Sequence, residues 1–104
     1  MEQTQEEKMA IAEEIVRQLG GRRFIAMTGA YDFLALDSGV QFKLPGDEGF
    51  TKQGIGSVEV ILMWDDTYHV LFKKGEEIVS QHEGIYNDQL QELFTSETGL
   101  GTHL

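Results

Sequence analysis

The chain predicts an α+β fold, with an N-terminal helix, an antiparallel sheet of about six strands built from hairpins, and a C-terminal helix. Apolar residues recur every three or four positions near both ends of the chain and alternate with polar residues through its middle. Glycine, proline and aspartate separate the alternating segments. The 104 residues are predicted to form one domain, and their 40% apolar content is enough for a core without disulfides.

The first helix is predicted over residues 5–19. The segment Thr4-Gln5-Glu6-Glu7 has the pattern of a capping box, and Glu13 and Arg17 are spaced for an ion pair. Gly20-Gly21 ends the helix, because glycine readily adopts the left-handed conformation that follows a last helical turn. Helical spacing also defines one apolar stripe along it: Met9, Ala12, Ile15, Val16 and Leu19.

A switch to alternating periodicity predicts the first three strands. Phe24-Ile25-Ala26-Met27 forms the first, and the next two make a hairpin around Asp37-Ser38-Gly39. A three-residue loop with a left-handed glycine sets the register of this hairpin. That register places five apolar residues on one face: Leu34 and Leu36 opposite Phe42 and Val40, with Leu44 beyond them.

A glycine-rich loop follows the third strand. Pro45 ends the strand, and the segment Gly46–Gly56 holds four glycines with only two apolar residues, Phe50 and Ile55. Loops of this length are often functional. We expect this one to be mobile, with Phe50 exposed, and to become ordered on contact with a partner.

Two further strands predict a second hairpin. Its connecting turn must have an odd number of residues, such as Asp65-Asp66-Thr67, if both strands are to present their apolar residues to one face. Those residues are Val58, Val60, Leu62 and Trp64 on one strand and Tyr68, Val70 and Phe72 on the other. The opposite face carries Ile61, Met63 and Leu71, which indicates a second covering layer, a closed sheet or a homodimer contact. Eight residues are expected to share a core under both helices: Leu34, Leu36, Val40, Phe42, Val60, Leu62, Val70 and Phe72.

The sixth strand, residues 78–83, has two alternative registers. A two-residue Gly75-Glu76 loop places His69 directly opposite His82, where two imidazoles and a carboxylate could hold zinc. A three-residue Lys73-Lys74-Gly75 loop separates the histidines. Because the sequence places no third ligand, we expect no metal site and no cofactor.

The closing helix is predicted over residues 87–98. Asn87 is the expected N-cap, Asp88 complements the helix dipole, and Gly99 follows the last turn. Leu100 is expected to pack back against the apolar face in a Schellman-type ending. That face consists of Leu90, Leu93 and Phe94.

The sequence contains no recognisable catalytic motif. The chain has no cysteine, its glycine loop matches neither a phosphate-binding loop nor a dinucleotide fingerprint, and no serine lies in a nucleophile elbow. Adjacent carboxylates in turns point apart, whereas acid–base chemistry requires two that converge on one substrate. The sequence therefore predicts a protein that is not an enzyme, and no membrane-spanning segment.

The charge of the chain is strongly acidic, with 18 acidic against 8 basic residues and a net charge of −10. This balance either keeps the protein soluble or forms a surface for a basic protein partner, and it disfavours nucleic acid. The candidate partner-binding residues are Asp65, Asp66, Glu76, Glu77 and Phe50, and helix acids such as Glu6, Glu13 and Glu14 could extend that surface. The alternative is binding to nucleic acid through the two basic pairs: Arg22, Arg23, Lys73 and Lys74.

Several motifs resemble an uncharacterised family of small proteins found in bacteriophages, prophages and conjugative elements. The similarity covers residues 18–104 and leaves the acidic helical extension 1–17 outside it. It rests on Gln18-Leu19-Gly20-Gly21, Phe24–Ala30, Phe42-Lys43-Leu44-Pro45, Gly49–Lys52 with Gly54-Ile55, Asp66–Val70 with Phe72, Tyr86, Asp88-Gln89-Leu90, Phe94-Thr95 and Thr98-Gly99-Leu100.

The resemblance implies a mobile-element protein in the cytoplasm of a bacterial host, and it carries no established activity. We therefore expect a non-enzymatic accessory protein that binds a host or phage protein, with counter-defence through an acidic surface as one such role. The alternative is an accessory of phage replication or recombination that associates with nucleic acid.

Overall fold

The computed structural model describes residues 3–45 and 51–101. Their elements are α1 (Gln5–Leu19), α2 (Gly21–Thr28), β1 (Tyr31–Leu36), β2 (Gly39–Lys43), β3 (Ser57–Leu62), β4 (Tyr68–Lys74), β5 (Glu77–Ile85) and α3 (Leu90–Thr98). Short 3₁₀ turns, Lys52–Gly54 and Asn87–Gln89, precede β3 and α3. Within this part of the chain, the strands pair in sequential order as one antiparallel meander. The predicted α+β class, with a helix at each end, is confirmed with five strands rather than about six.

Helix α1 has the predicted bounds and start. The hydroxyl of Thr4 accepts from the backbone N–H of Glu7, and the Glu7 carboxylate accepts from the Thr4 N–H, which completes the capping box. Arg17 pairs with Glu14 rather than with the expected Glu13. Gln18 donates to the other Glu14 oxygen at 2.9 Å, so this carboxylate is held beside Arg17. Among the described residues, no helix is both long and apolar enough to cross a membrane.

The predicted first strand is wrong, because residues 24–27 belong to helix α2. A four-residue apolar run fits either a strand or a buried helical turn. The helix buries Phe24 and Thr28, which are four positions apart, and leaves the residues between them exposed. Gly20 and Gly21, with φ of 131° and 62°, redirect the chain from α1 into α2 instead of into a strand.

Helices α2 and α3 end in the same hydrogen-bonded motif. The Thr28 hydroxyl donates to the Phe24 carbonyl at 2.7 Å and accepts from the Ala30 N–H at 3.2 Å. At the end of α3, Thr98 bonds in the same way to the Phe94 carbonyl at 2.7 Å and the Leu100 N–H at 3.1 Å. In both motifs a left-handed glycine follows the threonine. The Schellman bond expected at Leu100 is thus replaced by a bond to the buried hydroxyl, while Leu100 does pack against the core.

The first hairpin has a different register from the one predicted. Leu36 pairs with Gly39, which leaves a two-residue turn in which Ser38, not Gly39, is left-handed. Gly39 serves close packing instead, since a Cβ there would lie 2.5 Å from the carbonyl oxygen of Val60. Gln3 holds the turn from outside, because its amide accepts from the Ser38 N–H and donates to the Ser38 hydroxyl, both at 2.7 Å.

The second hairpin keeps the predicted face and shifts its pairing. Leu62 pairs with Tyr68 and Val60 with Val70, so the turn has an odd number of residues and the apolar residues share one face. The third hairpin uses the two-residue Gly75-Glu76 loop, one of the two registers considered. Closing helix α3 begins after a 3₁₀ turn rather than directly at an Asn87 N-cap.

The core lies between the helices and one face of the sheet. At its centre Phe24 of α2 contacts Phe42 of β2 and Phe94 of α3 edge to face, with ring centroids 5.4 and 5.2 Å apart. We call these three rings the phenylalanine cluster. Six of the eight predicted core residues lie on this face: Val40, Phe42, Val60, Leu62, Val70 and Phe72.

The other sheet face, here called the open face, has no covering layer among the described residues. The shifted register turns Leu34 and Leu36 to this face, so their predicted core positions are wrong. Ile61 and Leu71 are half-buried there beside a Lys73–Glu59 ion pair of 2.8 Å. Strands β1 and β5 are both edges, so the expected alternative of a closed sheet is also wrong.

Truncating Phe42 to alanine is expected to destabilise the protein by about 3–5 kcal/mol, because the ring is fully buried in the phenylalanine cluster. Urea unfolding of Phe42→Ala and wild type measures this cost. Leu34→Ala is the control, and its cost is expected to stay near 0.5 kcal/mol because Leu34 is 55% exposed. Equal costs for both variants would contradict the register described above.

Replacing Thr28 by valine is expected to cost about 1–3 kcal/mol, since it leaves the buried Ala30 N–H without its acceptor. Thr98→Val should behave in the same way at the end of α3. Thr95→Val, a half-buried threonine on the same helix, controls for the loss of a hydroxyl. Urea unfolding that shows no excess cost over this control would argue against the paired helix-end motif.

Candidate protein-binding surface

The four acidic candidates do not form one site. Asp65 and Asp66 lie in the β3–β4 turn, whereas Glu76 and Glu77 lie at the other end of β4. At about 3.3 Å per residue, β4 separates the two pairs by about 20 Å. Charges this far apart are screened from one another at physiological ionic strength, where the Debye length is about 8 Å. Each pair must therefore be considered separately.

The β3–β4 tip, residues Met63–Thr67, is a tightly bonded turn. The Met63 N–H donates to the Thr67 carbonyl at 2.8 Å, and the Asp66 N–H donates to the Met63 carbonyl at 3.1 Å. Asp65 accepts from both the hydroxyl and the N–H of Thr67, at 2.7 and 3.2 Å. Asp66 has a φ of 65°, a conformation that aspartate tolerates better than most residues. These bonds hold the tip in one shape before any partner arrives.

Trp64 projects from this tip. It is the only tryptophan in the chain and is 92% exposed. The alternation Val58-Val60-Leu62-Trp64 predicted that Trp64 lies on the apolar face of the strand, but β3 ends at Leu62 and Trp64 belongs to the turn. Sequence reasoning therefore missed the most exposed large apolar side chain of the described residues. The signal that could have found it is the Asp-x-Thr pattern directly after Trp64, typical of a turn that begins at the aspartate.

Carboxylates surround the tip. Glu83 borders the same shallow depression as Trp64 and Asp65. The β1–β2 turn, which carries Asp37, adjoins the tip because the Leu62 N–H donates to the Ser38 carbonyl. Hydrogen bonds from Thr67 hold the pKa of Asp65 below its usual range, because they stabilise the charged carboxylate. The tip therefore combines an exposed indole with negative charge.

The nucleic-acid candidates are also divided. Arg22 and Arg23 are exposed on α2 in the helical layer, whereas Lys73 lies on the open face in its ion pair with Glu59. Lys74 follows at the exposed end of β4, where a Cβ at Gly54 would lie 3.3 Å from the Cε of its side chain. The two basic pairs thus belong to different layers of the fold and do not form one phosphate-binding groove.

Phe50, with Gly46–Gly49, lies outside the described residues. The remainder of the expected loop is packed rather than loose. Ile55 is fully buried, the Thr51 hydroxyl donates to its carbonyl at 2.7 Å, and the Gly56 N–H donates to Lys73. Thr51, Ile55 and Gly56 are therefore held against the fold, which disfavours a mobile segment at residues 51–56.

An apolar groove lies between α1, α2 and β1. The sequence analysis did not predict it. Its floor is formed by small and branched side chains, and its volume is about 380 Å³. Three of its larger side chains, Met9, Ile25 and Phe33, are each about 40% exposed. Arg17, Arg22 and Glu13 stand at its rim. The groove exists because residues 21–28 form a helix, so its walls could not be foreseen from a predicted strand.

The histidines do not form the cross-strand pair considered above. The two-residue loop would have placed them opposite each other, but a bulge after Phe72 shifts the register so that His82 faces Val70. His69 lies on the open face, 3.0 Å from Gln81, and His82 lies on the core face. Among the described residues, no three side chains of histidine, aspartate or glutamate assemble as a metal-binding cluster.

Ser80, His82 and Glu97 make contact without the geometry of a hydrolase triad. Both the Ser80 hydroxyl and His82 Nε2 bond to one oxygen of Glu97, at 2.7 and 2.6 Å. A nucleophilic serine would instead bond to the histidine. Through these two bonds the Glu97 carboxylate joins α3 to β5. The hydrogen bond from Ser80, and to a lesser extent the one with His82, holds the pKa of Glu97 below its usual range.

No family model, curated protein or solved structure was found to match this chain. The resemblance to mobile-element proteins accordingly stays a prediction.

Replacing Glu97 by glutamine is expected to cost about 1–2 kcal/mol at pH 7, because the ionised carboxylate forms the stronger hydrogen bonds. Since folding lowers the pKa of Glu97, this contribution is present above the unfolded pKa of about 4.3 and is lost as the pH falls through the folded pKa. Urea unfolding at pH 7 and in steps down to pH 3 tests this.

The stability difference between wild type and Glu97→Gln should persist down to the unfolded pKa of about 4.3 and shrink as the pH falls below it. Glu92→Gln is the matched control on the same helix, since Glu92 is exposed. A difference independent of pH would show that the carboxylate charge has no part in fastening α3.

Proposed function

We propose that the protein is a non-enzymatic accessory of a bacteriophage or other mobile element that binds a host or phage protein through the β3–β4 tip. The single observation that carries this proposal is Trp64, 92% exposed on a turn held by its own hydrogen bonds. The setting, the cytoplasm of a bacterial host, follows from the sequence resemblance.

Exposure of this tryptophan makes a binding role the better explanation. Tryptophan is enriched among the few residues that dominate protein interfaces, where it fills a pocket near the centre of the contact. Burying an aromatic side chain removes 150–250 Å² of surface from water, roughly 4–6 kcal/mol of gross gain at 25 cal/mol/Å². Because the tip is already ordered, little of that gain is lost to ordering the loop.

The negative charge of the tip indicates which kind of partner surface would complement it. Asp65 and Asp66 follow Trp64 in the tip. Glu83 borders the same depression, and Asp37, which is paired with Lys8, lies on the adjoining turn. A complementary surface has an apolar pocket bordered by lysine or arginine. The basic nucleic-acid-binding face of a host defence protein has this chemistry, so counter-defence is one role that fits.

Binding to nucleic acid has weaker support. Its four candidate residues, Arg22, Arg23, Lys73 and Lys74, belong to two different layers, and Lys73 is already paired with Glu59. A net charge of −10 also repels the phosphate backbone.

Partner capture is expected to depend on the tip. Once a partner has been captured from bacterial lysate and purified, Trp64→Ala should weaken its binding by at least about 30-fold, the loss typical of a central interface residue. Asp65→Asn with Asp66→Asn should weaken binding at low salt and have less effect at high salt. Asparagine keeps the turn's acceptor oxygen and tolerates the left-handed conformation, so this pair removes charge while keeping the turn.

Two matched controls complete the experiment. Tyr86→Ala removes an aromatic side chain that is 58% exposed elsewhere, and Glu76→Gln with Glu77→Gln removes the same charge from the other end of β4. Both controls should bind as wild type does. Binding that survives Trp64→Ala, or that disappears when the lysate is treated with nuclease, would refute the proposal.

A further inference from the structure

We infer that the apolar groove between α1, α2 and β1 binds the β3–β4 tip of a second copy of the chain. This inference rests on the proposed function, because it identifies a partner for the same tip. It joins two of the exposed apolar features of the described residues, one convex and one concave. The chain would then associate with itself as well as with any foreign partner.

The two features match in shape. The groove, at about 380 Å³, lies within the size range of pockets that bind small aromatic ligands. Its walls consist mainly of apolar atoms from Met9, Val16, Ile25 and Phe33. The tip presents one indole as a protruding knob. An indole in this groove would cover side chains that are about 40% exposed in the single chain.

The two features also match in charge. The tip carries Asp65 and Asp66 beside the indole. On its α2 side the groove rim carries Arg22, and Arg23 follows it, whereas the α1 side carries Glu13 and the paired Arg17. Neither Arg22 nor Arg23 has a salt-bridge partner among residues 3–45 and 51–101, whereas Lys8, Arg17, Lys43 and Lys73 are each paired with a carboxylate there. The two arginines are therefore available to the carboxylates of another copy.

The contact must form between copies. The groove adjoins β1, at one edge of the sheet, and the tip joins β3 to β4, two strands further in. The docked surfaces differ, so the interface is heterologous and builds a closed ring or an open chain, depending on the angle between copies. A mixture in which one copy has only the tip and the other only the groove must stop at a heterodimer.

That mixture is the decisive experiment. Trp64→Ala removes the tip and keeps the groove, whereas Ile25→Glu blocks the groove and keeps the tip. Ile25 is 38% exposed, so the substitution should be compatible with the fold, and circular dichroism of the variant checks this. Because Trp64 is the only tryptophan, all tryptophan emission in the mixture comes from the Ile25→Glu chain.

We expect each variant alone to remain monomeric in sedimentation at concentrations where wild type associates. Adding Trp64→Ala to Ile25→Glu should shift the emission to shorter wavelength and yield a one-to-one complex. Arg22→Glu should weaken wild-type association about tenfold or more, and Tyr86→Ala should leave it unchanged.

Two results of these experiments would contradict self-association through the groove. The inference is overturned if the wild-type chain stays monomeric at high concentration. It is also overturned if association persists in both single variants, and that result would point to another interface such as the open face. If foreign-partner binding still depends on Trp64, the proposed function stands without self-association. If Trp64→Ala affects neither, both proposals fail.

Discussion

The contact among Phe24, Phe42 and Phe94 is the constraint on which the other packing depends. Each ring comes from a different element, α2, β2 and α3, so this one cluster fastens both short helices to the sheet. A buried threonine four residues beyond Phe24 and another four beyond Phe94 close their helices immediately afterwards. The cluster therefore determines the course of the chain as it leaves α2 for β1 and as it leaves α3. The groove beside α2 exists because Phe24 anchors that helix in place.

Local signals predicted most of the fold, and long-range contacts account for the errors. The capping box at Thr4 and the stop at Gly99 are each encoded within a few residues, and each is found. The sequence left two registers open for the last hairpin, and the structure has the two-residue Gly75-Glu76 loop. The first hairpin was misread because Gln3, 35 residues away, stabilises Ser38 in the left-handed conformation. Helix α2 was misread as a strand although Phe24-x₃-Thr-Gly repeats the pattern at Phe94. Comparing those two segments would have identified the helix, since the second lies at the end of a clear helical pattern.

The candidate site could be predicted only in part. Asp65 and Asp66 were chosen for their charge, and they do flank the exposed tip, but Glu76 and Glu77 lie about 20 Å away across β4. Trp64 was assigned to the apolar face of the strand because alternation does not reveal where a strand ends. The groove depends on three elements that meet only in the folded chain. Residue type thus indicated the charge of the surface, and the tertiary structure was needed to find its apolar centre.

Among the described residues, charge is placed unevenly along the strands, and this gives the sheet a dipole between its two ends. Four lysines, 43, 52, 73 and 74, lie toward the end of the sheet where β4 passes into β5, and there they offset much of the nearby acid. At the opposite end Asp37, Asp65, Asp66 and Glu83 outnumber their local cation, Lys8. A basic surface exerts a torque on such a dipole before contact and turns the acidic end toward itself. The tryptophan would then arrive facing the partner, so that a larger fraction of diffusional encounters begins in a productive orientation.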